Sequence, residues 1–80
     1  MTRTECLERI EAEGLRCYRF FDGEGDAQEI VIRQAGEAYV VYANDARACA
    51  IANSRAEFDR EEDALQEFLD RLRLTKALAW

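Results

Sequence analysis

Five consecutive residues, Asp22-Gly23-Glu24-Gly25-Asp26, carry the densest chemistry in this chain. Carboxylates at alternate positions match the opening of a calcium-binding loop, whose first, third and fifth residues are acidic. The match stops there. The sixth position is Ala27, where a glycine must allow the sharp turn, and the twelfth is Arg33, where a bidentate glutamate should close the site. No metal and no other cofactor is expected. What remains is an acidic turn, with glycines that permit positive φ and acids that accept local backbone hydrogen bonds.

Other catalytic sets are thin. The chain has no histidine, so the commonest general base and the commonest metal ligand are both missing. Its single serine, Ser54, lies outside any Gly-x-Ser-x-Gly turn and has no imidazole to activate it. Cys6, Cys17 and Cys49 are odd in number and far apart, with no Cys-x-x-Cys pair. They read as reduced, small, semi-buried residues in a reducing compartment. No phosphate-cradling Gly-x-x-x-x-Gly-Lys is present. The expectation is a protein that is not an enzyme.

Eighty residues make one domain, residues 1–80, near the low end of what folds alone. Nearly half the residues are apolar and a third are charged, a globular composition. No apolar run approaches the roughly 20 residues of a membrane span. Met1 leads directly into a charged amphipathic segment, so the reading is a cytoplasmic protein. The net charge of −6 is concentrated at the ends: Met1 to Glu29 holds four bases against eight acids, and residues 59–80 hold four against six. Phosphate contacts need Lys and Arg, so nucleic acid and anionic membrane are poor ligands and basic partners are favoured.

The elements that must position these groups follow from capping and periodicity. Thr2-Arg3-Thr4-Glu5 has capping-box spacing, and Gly14 can close the helix that it opens, roughly Arg3 to Glu13. The aromatic run Leu15 to Phe21 reads as a first strand. Glu29 to Gln34 is a second, and Ala35-Gly36 turns it into a third, Glu37 to Ala43. Asn44-Asp45-Ala46-Arg47 is a turn, and alanine-rich Ala48 to Ser54 is assigned to a fourth strand at an edge. Asp59 opens the second helix, with Phe58 as its hydrophobic staple. Ala64, Leu65, Phe68, Leu69 and Leu72 give that helix one broad apolar face, and it is expected to fray after Leu74. Trp80 either folds back on the core or stays frayed. The fold class is α+β, in the order α-β-β-β-β-α: an antiparallel four-stranded meander with both helices on one face.

The third strand, Ala-Tyr-Val-Val-Tyr-Ala over 38–43, places Tyr39 and Val41 on one side and Val40 and Tyr42 on the other. Two helices cover one face of such a sheet. The second face is then expected to lie bare, which points to a protein that binds another protein. A homo-oligomeric structural or regulatory module, such as a homodimer through that face, is the competing reading.

Phe20-Phe21-Asp22-Gly23-Glu24, Ile30-Val31-Ile32-Arg33 and Val40-Val41-Tyr42-Ala43-Asn44-Asp45-Ala46-Arg47 stand ahead of Phe58-Asp59 and the amphipathic segment 64–72. Over nearly the whole chain, this succession resembles the small immunity proteins of bacterial polymorphic toxin systems, nearest the type called immunity protein fifty-nine. Tyr39 stands where that family usually has tryptophan. The resemblance implies a cytoplasmic, non-catalytic protein that binds and neutralises a cognate toxin domain. A basic toxin would meet Asp22, Glu24, Asp26 and Asp45 as charge partners and Tyr39 and Tyr42 as apolar anchors.

Overall fold

The computed structural model describes residues 1–79: two helices, four strands and a 3-10 turn, Ala52–Ser54. Trp80 lies outside the described residues. Helix α1 covers Arg3–Glu13, as its caps predict. The Glu5 N–H donates to Thr2 Oγ1 (3.2 Å), and the Thr2 N–H donates to a Glu5 carboxylate oxygen (3.0 Å). The bond from the Thr2 backbone foremost, and then the Thr2 side chain, hold the Glu5 carboxyl below the usual carboxylate range. Gly14 closes the helix at φ 66°, where a side chain would be strained.

Helix α2 runs over Glu61–Ala79. The Arg60 carbonyl accepts the Ala64 N–H (3.3 Å), so the helix begins two residues after Asp59. It also continues past Leu74 instead of fraying. Arg73 binds the Glu13 carboxylate (2.6 Å) and Lys76 Nζ donates to the Glu13 carbonyl, so the end of α1 anchors the last turns. At the other end Arg3 pairs with Glu61 (2.6 Å), and the two helices therefore run parallel.

The sheet has the order β1-β2-β3-β4, made of Tyr18–Phe20, Ile30–Ala35, Ala38–Ala43 and Ala56–Phe58. Strands β2 and β3 form the expected hairpin about Gly36, in register from Ile30↔Ala43 to Ala35↔Ala38. Two expectations are corrected. The first two strands are parallel, with Tyr18 opposite Ile30 and Phe20 opposite Ile32, so the sheet is mixed and no pure meander. Three residues of β1 span only about 10 Å. The connection 21–29 can return over that distance without the helix that a longer parallel pair needs.

The fourth strand is also displaced, to Ala56–Phe58 from the expected 48–54. Residues 48–54 hold only an isolated bridge, Asn44↔Ala50, and the 3-10 turn. Alanine has weak strand propensity. The Ser54 hydroxyl draws the segment inward by accepting the Ala43 N–H (2.9 Å) and donating to the Ile51 carbonyl (2.6 Å). Phe58, expected as a staple, pairs with Tyr39 in the sheet instead.

Both helices lie on the same face. Cys6 and Ile10 from α1, Ala64, Leu65, Phe68, Leu69 and Leu72 from α2, and Ile32 and Val41 from the sheet form one core. Tyr18 and Phe20 meet the Phe68 ring at 6.1 and 5.8 Å. The cysteines are free, but only Cys6 is buried; Cys17 and Cys49 are exposed, against the expectation of semi-burial.

Candidate functional site

The second sheet face is not bare. Val31, Val40 and Tyr42 are 0%, 2% and 5% exposed and form a small cluster of their own. The connection that makes β1 parallel is what covers it. Residues 22–28 return across this face, and Gly25 presses so close that an added Cβ would stand 2.7 Å from Val31 Cγ2. The segment after β3 supplies the other wall. Between the two lies a groove of about 250 Å³, lined by Glu24, Arg33, Tyr42, Asn44 and, opposite, Ala48, Ala50 and Arg55.

The covering loop is held by its backbone. The Tyr42 hydroxyl donates to the Glu24 carbonyl (3.1 Å). Asn44, 5% exposed, donates both amide hydrogens, to the carbonyls of Glu24 (3.0 Å) and Asp26 (2.9 Å). With the carbonyls turned inward, the carboxylates point out. The side chains of Asp22, Glu24 and Asp26 are 81%, 86% and 82% exposed.

Two arginines sit beneath these acids. Arg19, on the second face of β1, meets Asp26 at 2.9 Å, Glu29 at 3.2 Å and Asp22 at 3.5 Å. Glu29 above all, then Asp26 and Asp22, raises the Arg19 pKa further. Arg33 lies 3.7 Å from Glu24, and its pKa is raised mainly by the Tyr42 hydroxyl. Four carboxylates over two guanidiniums leave the loop net negative.

The six residues singled out from sequence do not form one site. Asp22, Glu24 and Asp26 share the loop, and Tyr42 supports it from the floor. Tyr42 is buried within the single chain, so it is a structural anchor and not an exposed one. Tyr39 faces the helices and packs against the main core, half-buried. Asp45 is also structural. Its carboxylate accepts the N–H groups of Arg47 (2.8 Å) and Cys49 (3.1 Å), and its carbonyl accepts that of Gln28 (2.9 Å).

Arg19, Arg33 and Asn44 were not expected at the site. Their only sequence signal is position: Arg19 and Arg33 interrupt apolar strands on the side away from the helices, and Asn44 ends one. Compared with protein-family models, curated proteins and solved structures, the chain matches none.

Proposed function

We propose that this chain is a non-catalytic binding protein that captures a basic protein partner through Asp22, Glu24 and Asp26. The cognate toxin domain of an immunity pair, as the resemblance implies, is the partner proposed. The observation that carries the reading is the outward display of three carboxylates on a loop whose backbone is pinned by Tyr42 and Asn44. The loop's net negative field speeds encounter with a cationic surface. Tyr42 is set aside as an anchor because it is buried within the chain. Tyr39, half-buried on the helix side, and Asp45, whose Oδ1 takes two backbone N–H groups, stand apart from the acidic loop.

The test is protection. The product of the gene directly upstream is expressed with and without this chain in the same cells. A toxic upstream product whose toxicity is relieved by the chain, and not by Asp22→Asn/Glu24→Gln/Asp26→Asn, is the expected result. Absence of relief, or equal relief by the triple variant, overturns the reading.

Self-association keeps one specific observation in its favour. Leu74 and Leu78, one turn apart on α2, are 60% and 78% exposed. Routes through the sheet are poorer, since its second face is roofed and β4 has only three residues. A stable interface buries about 800 Å² per partner, several times what two leucines offer. Sedimentation of the pure chain at micromolar concentration separates the readings: a monomer leaves the first, and a dimer lost in Leu74→Glu/Leu78→Glu favours the second.

A further inference from the structure

The loop that roofs the second face is an unusual cover for apolar side chains. Residues 22–28, Asp-Gly-Glu-Gly-Asp-Ala-Gln, include no large apolar side chain. Val31 and Tyr42 are therefore shielded on this side by backbone and polar groups. Most proteins shield such a cluster with other apolar side chains, whose burial adds stability in proportion to area. This loop lacks that contribution and is held by three hydrogen bonds from Tyr42 and Asn44, by the Asp26 N–H on the Glu29 carboxylate (2.6 Å), and by ion pairs from its outward carboxylates to half-exposed Arg19 and Arg33. Each such hydrogen bond contributes modestly, and an exposed ion pair less.

Its ends are strained as well. Phe21 lies at φ 54° and Gln28 at φ 58°, in the left-handed region that side chains with a Cβ disfavour. Gly23 and Gly25 lie at φ 83° and 80°, so the segment 21–28 has left-handed residues at both ends and twice between. Phe21 is anchored from outside the loop: its ring is stacked beneath the Arg3 guanidinium (3.6 Å) and meets Phe20 edge-on (4.9 Å). Strand β1 is anchored by Tyr18 and Phe20 on Phe68. Gln28 is fixed by its N–H on the Asp45 carbonyl. Firm ends, strained pivots and a weakly held middle describe a strap.

We propose that residues 22–27 lift from the second sheet face about pivots at Phe21 and Gln28 while the helix-side core stays folded, exposing Val31 and Tyr42 in the native protein. Opening releases backbone strain and breaks few bonds, so it requires far less free energy than global unfolding. It places an apolar floor next to the three carboxylates that the strap carries. The inference concerns the isolated chain and stands whether or not the partner proposed above exists.

Thiol trapping in the free protein tests it. In a Cys17→Ser/Cys49→Ser background, Val31→Cys puts a thiol of nearly the same size under the strap. Cys6, 0% exposed in the helix-side core, serves as reference in the same molecule. With a small maleimide under native conditions, the thiol introduced by Val31→Cys is expected to label at least tenfold faster than Cys6. Adding Asn44→Ala, which removes two of the strap's bonds, should widen that ratio severalfold. Equal rates at the two thiols mean that the floor opens only when the whole protein unfolds, and they overturn the proposal. A ratio unchanged by Asn44→Ala overturns it too, because the strap would then not be what gates access.

Discussion

The two faces of the sheet are buried to the same degree by opposite means. Ile32 and Val41 lie beneath Leu65, Phe68 and Leu69, side chain against side chain. Val31 and Tyr42, their neighbours in the register, lie beneath Gly25 and the carbonyl of Glu24. Exposure alone does not separate the faces, since both sets of residues are nearly inaccessible. The strength of the cover does. Dispersion and apolar transfer hold one face, and a few polar bonds to a glycine-bearing loop hold the other.

That contrast is open to mutation, most severely on the helix side. Phe68→Ala empties the centre of the main core and should destabilise by about 3–5 kcal/mol. For so small a domain this approaches the whole stability, and urea unfolding would show a largely unfolded chain. Across the sheet, Gly25→Ala forces a Cβ against Val31 at a φ of 80° and should lose about 1–3 kcal/mol. A loss as large as that of Phe68→Ala would erase the distinction between the faces. Tyr42→Phe removes one bond to a carbonyl that Asn44 still satisfies, so a loss of about 0.5–1.5 kcal/mol is expected, at the lower end.

Neutralising Asp22, Glu24 and Asp26 should move thermal unfolding little, by about 0.5 kcal/mol or less, because their side chains are mostly in water. A large drop would make the acidic loop a structural device and remove it from the binding reading. Acid titration sharpens the comparison from the helix side. The Glu13 carboxyl is held below the usual range, first by its hydrogen bond from Arg73, and Glu5 is held there by Thr2. A carboxyl lowered in the folded state stabilises above its unfolded pKa, and that contribution fades as pH falls through the folded value. Stability should therefore decline below about pH 4.5, and Glu13→Gln should flatten the decline measured by urea midpoints.

Much of the fold was legible because its signals are local. Thr2, Glu5 and Gly14 bound α1, Gly36 sets the hairpin, and the apolar face from Ala64 to Leu72 requires burial whatever it packs against. Residues 48–54 were misread because alanine carries little preference, and the decisive bonds of Ser54 reach back to Ala43. The acidic loop was legible as a turn, but its direction was not. Two glycines and three acids suit a tight reversal and a return crossing equally well.

Local chemistry therefore determined the helices, the central hairpin, the acidity and the absence of any histidine-based chemistry. Tertiary structure alone decided that β1 runs parallel to β2 and that the return loop closes the second face. It thereby turned Tyr42 from an exposed anchor into the post that holds that loop. The reason is physical: strand direction depends on which long-range pairing satisfies the most backbone and apolar groups together, and no window of neighbouring residues contains that sum.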